Sequence, residues 1–138
     1  GGCLVKLVEG SPLAAERLDI DEREIFYRYF SPIHTSEIIG DPERRERINL
    51  AADAALSEIA ESHLNGTVEF EQCVEVARRF SEDSGLLQDP QVRAVIDGQL
   101  AAGHHASMIM LGNAVFSTHP FEGCRRTSLA KRPAGLVA

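Results

Sequence analysis

The stretch EIFYRYFSPIHTSEIIGDPERR, residues 24–45, contains the signals that decide the fold. Its first seven residues are rich in aromatic side chains and end at Ser31-Pro32, where the residue before proline favours an extended conformation. We therefore predict a strand over residues 24–30, followed by a polar loop at His34-Thr35-Ser36. Asp41-Pro42 then supplies a helix N-cap and a proline at the first helical position, so a helix should begin there.

Three downstream segments repeat apolar residues at the three- and four-residue spacing of a buried helical face. In the first, which begins at Asp41-Pro42, these residues are Ile48, Ala51, Ala52, Ala55, Leu56 and Ile59. The second, which Thr67 can cap and Gly85 can end, aligns Phe70, Cys73, Val74, Ala77 and Phe80. The third begins at Asp89-Pro90, ends at Gly103, and aligns Val92, Val95, Ile96 and Leu100. The Arg44-Arg45 and Arg78-Arg79 pairs lie among acidic residues, which indicates solvated or salt-bridged faces.

Short apolar runs on both sides of these helices predict further strands. One covers residues 3–8, and two more, residues 106–111 and 114–117, flank a predicted hairpin turn at Gly112-Asn113. Two strands, three helices and two strands indicate an α+β domain with helices on one face of an antiparallel sheet. We place this domain at residues 1–121 and predict that residues 122–138, a basic segment punctuated by glycine and proline, form a weakly ordered tail.

Composition excludes several classes of function. The chain has 138 residues with 21 acidic and 14 basic side chains, and this net charge of -7 argues against nucleic acid as a partner. No apolar run approaches the roughly 18 residues of a membrane span, and no secretory signal opens the sequence. Three widely spaced cysteines predict neither disulfides nor a zinc site, so we expect a reducing cytoplasm.

Few residues carry a chemical signal by themselves. His104-His105 provides only two ligands that would point to opposite faces of an extended segment, so we predict no metal site there. Gly112-Asn113 allows two interpretations. It is either a simple hairpin turn or a close backbone approach that directs N–H groups at an anionic ligand. The loop at residues 31–36 is likewise either a hydroxyl-rich substrate contact or an ordinary loop.

Four stretches, taken together and in this order, resemble the archaeal pantoate kinases, a family of the GHMP kinase superfamily. They are Ser31–Ile39, Asp41–Arg45, Arg78–Glu82 with Gly85-Leu86, and Ala106–Phe116. The last is the most specific, because most GHMP kinases have a longer glycine-rich loop where this chain has Leu111-Gly112-Asn113. The resemblance extends from residue 1 to about residue 117, and the tail beyond it departs from the family pattern.

The resemblance implies ATP-dependent phosphorylation of the 4-hydroxyl of pantoate for coenzyme A biosynthesis, with Mg²⁺ on the nucleotide. It also implies a ferredoxin-like C-terminal domain, because the glycine- and serine-rich phosphate loop of the superfamily does not occur in this sequence. We expect no catalytic residue in this part. The residues expected to line the substrate or nucleotide are Gly112, Asn113, Ser107, His34, Thr35 and Ser36.

Two further expectations concern assembly and an alternative function. If the sheet lacks the last family strand, an unpaired edge would favour a homodimer. The alternative to a kinase region is a stand-alone ferredoxin-like module that binds a ligand or oligomerises without catalysis.

Overall fold

A computed structural model describes residues 2–8, 11–18, 20–66, 68–109 and 112–129 of the chain. The element order is β1 (Gly2–Val8), β2 (Ser11–Leu18), β3 (Arg23–Pro32), α1 (Thr35–Ile39), α2 (Pro42–Leu64), α3 (Phe70–Asp83), α4 (Pro90–Ala101), β4 (Ala106–Met108), β5 (Gly112–Ser117) and β6 (Arg125–Leu129). β1 and β2 pair with each other, and the other four strands form an antiparallel sheet in the order β4-β5-β3-β6. The predicted α+β class is confirmed.

The two Asp-Pro signals begin helices as predicted. At the start of α2, Asp41 Oδ1 accepts from the backbone N–H groups of Glu43 at 3.0 Å and Arg44 at 3.3 Å. Asp89 does the same for α4, with Gln91 N at 2.8 Å and Val92 N at 3.1 Å. Each aspartate thereby satisfies N–H groups that have no partner within the helix.

The core lies where α4, β4 and β5 meet the turn after α3. Its fully buried members include Val92 and Ile96 of α4 and Val115 of β5, each with 0% of its surface exposed. Phe30, Ile33, Ile38 and Ile48 are partly buried and pack against this cluster from β3, the α1 region and α2. The end of β3 and the first turns of α2 are thereby fixed to the core. None of the helices in the described part of the chain is both long and apolar enough to cross a membrane.

Three elements were not predicted. β2 has a proline near its start and little β-branched content, and it is paired along its length with β1. α1 has only five residues and begins inside the segment that we predicted as a polar loop. β6 lies inside the predicted tail, so the prediction of weak order is wrong for residues 125–129, which pair with residues 23–27 of β3. Residues 130–138 lie outside the described residues, and the predicted boundary after residue 121 stays a prediction.

The hairpin turn was misplaced. Gly112 and Asn113 open β5 opposite Pro32 and Ser31, so they are strand residues and not the turn. The backbone N–H of Gly112 donates to the carbonyl of Ile109 at 3.3 Å. β4 also ends at Met108, earlier than predicted. The predicted cap Thr67 lies outside the described residues, and the N-cap of α3 is Glu69.

Candidate functional site

A cavity of about 390 Å³ opens at the end of the sheet where β3 leaves it and β5 enters it. We call it the polar cavity. Its polar lining includes His34, Glu37, Arg44, Arg47 and Asn113, and its apolar lining includes Ile33, Ile38, Ile48 and Leu86. The volume lies in the range that small-molecule sites occupy.

The structure brings together two of the six site residues that the sequence suggested. His34 and Asn113, which are far apart in the sequence, both line the polar cavity. Gly112 directly precedes Asn113 at the start of β5. Thr35 and Ser36 form the first turn of α1 beside the cavity but do not line it.

Ser107 is placed differently from our expectation. It is fully buried in β4, and its Oγ donates to the carbonyl of Met108 at 3.3 Å. Its hydroxyl is therefore inaccessible to a ligand in the polar cavity. In sequence Ser107 is close to Asn113, but the short strand turns its side chain into the protein interior.

Asn113 is held in place by β3. Its Nδ2 donates to Ser31 Oγ at 2.8 Å, and the two residues are opposite each other in the sheet. The carbonyl oxygen of the Asn113 amide remains an acceptor, and the Ser31 hydroxyl can still donate its proton. Asn113, which lines the cavity, is therefore held there by its hydrogen bond to Ser31.

Arg47 links α2 to the end of α3. Its Nε donates to the carbonyl of Asp83 at 2.5 Å and its Nη2 to that of Glu82 at 3.4 Å, at the end of α3. The guanidinium lies against Gly85, which has φ of +73°, and a Cβ there would lie 2.9 Å from Nη1. Glycine at this position allows both the left-handed turn and the approach of the arginine.

Arg44 and Arg45 are distinguished only by the structure. Arg44 lines the polar cavity and makes an ion pair with Asp41 at 3.5 Å from its Nε, whereas Arg45 does not line the cavity. Arg44 is salt-bridged and exposed, as predicted, but the prediction did not include it among the residues of the site. The helix phase relative to the end of β3 separates the two, and the sequence does not contain that information.

The Arg78-Arg79 pair agrees with its predicted salt-bridged role. Arg78 pairs with Glu75 and Glu82 within α3, and Arg79 Nη2 lies 2.6 Å from Glu58 Oε1 of α2. The hydrogen bond from Arg78 lowers the pKa of Glu75. These charges satisfy one another and do not line the polar cavity.

The adjacent residues His104 and His105 do not line the polar cavity. The rings of His104 and His119 stack with centroids 3.7 Å apart at the other end of β4 and β5. Among the residues that the structure describes, no group of three or more histidine, cysteine, aspartate or glutamate side chains could hold a metal ion.

The lining of the polar cavity offers a small ligand an arginine, hydrogen-bonding groups and an apolar wall.

Comparison with known proteins gives one informative result at the level of fold. No family model matches the sequence, and no curated protein matches it significantly. A solved structure described as "Phosphotransferase related to CoA biosynthesis pathway" superimposes with a TM-score of 0.62 at 21% sequence identity. The chain shares its fold with part of that phosphotransferase. The match covers 78% of this chain and 33% of the other, so the chain spans about one third of the length of that protein.

Proposed function

We propose that this chain is the C-terminal part of an ATP-dependent pantoate kinase and forms the substrate side of its active site. The reaction would transfer phosphate to the 4-hydroxyl of pantoate for coenzyme A biosynthesis. Support at the level of fold comes from the structural similarity to a phosphotransferase whose description refers to the same pathway.

The observation that carries the proposal is the convergence of the family-like stretches on one cavity. Residues 31–39 contribute His34 and Ile38, and residues 41–45 contribute Arg44. Gly85-Leu86 and Asn113 come from the other two stretches, and they line the same cavity. The first and last of these stretches are also joined by the hydrogen bond between Asn113 and Ser31, which lie 82 positions apart in the sequence.

The chemistry of pantoate matches the lining. Pantoate has a carboxylate, two hydroxyl groups and a carbon that bears two methyl groups. The cavity offers an arginine for an anion, His34 and Asn113 for hydroxyl groups, and isoleucine side chains for methyl groups. Phosphoryl transfer depends mainly on positioning and charge stabilisation, so a cavity that orients the acceptor hydroxyl is a necessary part of such an enzyme.

ATP and Mg²⁺ do not fit the described residues. The sequence contains no glycine- and serine-rich phosphate loop, and the described residues include no cluster of three ligands for a metal ion. The proposal therefore assigns the nucleotide and its Mg²⁺ to another part of the enzyme, and we expect this chain alone to be inactive.

Calorimetric titration of the chain with pantoate and with Mg²⁺-ATP tests the proposal. We expect saturable binding of one pantoate with millimolar or tighter affinity, about −4 kcal/mol or better, and no tight binding of the nucleotide. Tight binding of Mg²⁺-ATP would contradict the assignment of the nucleotide site. Failure to bind pantoate would favour the alternative of a stand-alone module, which a start codon and ribosome site in the DNA upstream of Gly1 would also support.

The predicted homodimer is tested separately. Elution of the chain as a dimer from gel filtration at high concentration would support it, and strictly monomeric elution would contradict it.

A further inference from the structure

Two arginines reach the polar cavity, and they differ in how much of each guanidinium is already engaged by the protein. Arg47 donates from Nε and Nη2 to the last carbonyls of α3, and its guanidinium packs on Gly85. These contacts hold Arg47 as part of the wall. A ligand that took its guanidinium would remove one hydrogen bond from each of those carbonyls, which costs free energy.

Arg44 is in a different situation. Its one ion pair is a long contact of 3.5 Å from Nε to Asp41 Oδ2, and its side chain is 53% exposed. Asp41 is itself occupied, because its other oxygen caps α2. Within the described part of the chain, no hydrogen bond uses Nη1 or Nη2 of Arg44. The two terminal nitrogens of a guanidinium form a planar fork that matches a carboxylate.

The apolar wall of the cavity is rigid. Ile33, Ile38 and Ile48 pack against the main core, and Leu86 is itself a buried core residue with 7% exposure. Side chains fixed in this way present a surface that a branched aliphatic group can fill. An unbranched chain would leave part of that surface in contact with water and would gain less from burial.

We infer that Arg44 binds the carboxylate of the substrate while the isoleucine wall contacts the branched carbon of the same molecule. The polar cavity then selects small, branched hydroxy acids in their anionic form. The inference rests on the proposed function for the identity of pantoate, but the anion site and the apolar wall are properties of the cavity itself.

The variants Arg44→Gln and Arg45→Gln form a matched pair, because both remove one positive charge from the same turn of α2 and only Arg44 lines the cavity. The probes are pantoate, its neutral cyclic ester pantolactone, and the simpler branched acid 3-hydroxy-2,2-dimethylpropanoate. Calorimetry gives affinities, and amide NMR shifts of cavity residues confirm the place of binding. Thermal unfolding of both variants shows that the fold is retained.

We expect Arg44→Gln to weaken both carboxylates roughly 10- to 100-fold, as the loss of a charged hydrogen-bonded pair does, and Arg45→Gln to change them less than about twofold. Pantolactone binding should be insensitive to either change. Arg44→Lys should recover part of the affinity, because it restores the charge without the planar fork.

The outcomes separate the inference from the proposed function. If pantoate binds the cavity and both glutamine variants bind it equally well, the role of Arg44 is wrong and the proposed substrate stands. If only the simpler acid binds, and does so through Arg44, the inference holds and pantoate is the wrong substrate. If neither acid binds the wild-type chain, both are contradicted. Tighter binding of inorganic phosphate than of either acid through Arg44 would overturn the carboxylate assignment.

Discussion

The polar cavity and a second, apolar groove are both lined by Leu86, but they differ in the side chains they offer to a ligand. The apolar groove has a volume of about 570 Å³ between the sheet and α3. Its walls include the rings of Tyr27, Phe70, Phe80 and Phe116, and no charged side chain lines it. Leu86 lines both the cavity and the groove.

Volume alone does not decide which of the two is the better candidate for a functional site. The groove is larger, but its lining is mostly apolar, and apolar contact is not directional. The polar cavity combines an apolar wall with two directional groups, the Arg44 guanidinium and the Asn113 amide, which is hydrogen-bonded to Ser31. The proposed phosphoryl transfer would require a defined position of the acceptor hydroxyl, so of these two sites we assign the acceptor to the polar cavity.

The largest expected change in stability is at Leu86, which lines both the polar cavity and the apolar groove. Leu86→Ala removes a buried side chain, and we expect a loss of about 2–5 kcal/mol in the free energy of unfolding. Urea denaturation followed by circular dichroism measures it. The matched control is Leu50→Ala in α2, where leucine is 65% exposed and the change should stay within about 0.5 kcal/mol. Equal free energies of unfolding for the two variants would contradict the assignment of Leu86 to the core.

A smaller effect is expected at the turn that carries Arg47. Gly85→Ala places an alanine in the left-handed conformation, with its Cβ only 2.9 Å from the Arg47 guanidinium. We expect the free energy of unfolding to fall by about 1–2 kcal/mol. Gly98→Ala is the control, because its Cβ would meet no atom within 4 Å and alanine should stabilise α4 by about 0.5–1 kcal/mol. Thermal unfolding should therefore show opposite signs for the two variants. A stabilised Gly85→Ala variant would contradict the role assigned to this turn.

Local signals in the sequence predicted much of the fold. The Asp-Pro caps and the helical spacing of apolar residues located α2 and α4, and the aromatic run located β3. β2 and β6 were not found, because the first has weak β-propensity and the second has four exposed residues that are ordered by pairing with β3. Their stabilisation comes from partners distant in sequence, which a local pattern does not report.

The candidate site was predictable only in part, for a related reason. His34 and Asn113 lie within recognisable stretches, and both line the polar cavity. Arg44 was not distinguishable from Arg45, because the rotation of α2 about its axis decides which of the two faces the cavity. Ser107 was misplaced because β4 is short and its neighbours bury every side chain in it.

The smallest effect tests whether the polar edge of the cavity is a coupled unit. Because Asn113 Nδ2 donates to Ser31 Oγ at 2.8 Å in a partly buried position, we expect the pair to contribute about 0.5–1.5 kcal/mol. A double-mutant cycle of Ser31→Ala and Asn113→Ala measures this coupling by urea denaturation. Pairing Ser31→Ala with Asn49→Ala, an exposed residue of α2, gives the control cycle, which should show additivity. An additive Ser31–Asn113 cycle would mean that each side chain is held independently, and the fixed orientation that distinguishes this cavity from the apolar groove would then have to come from Arg44 alone.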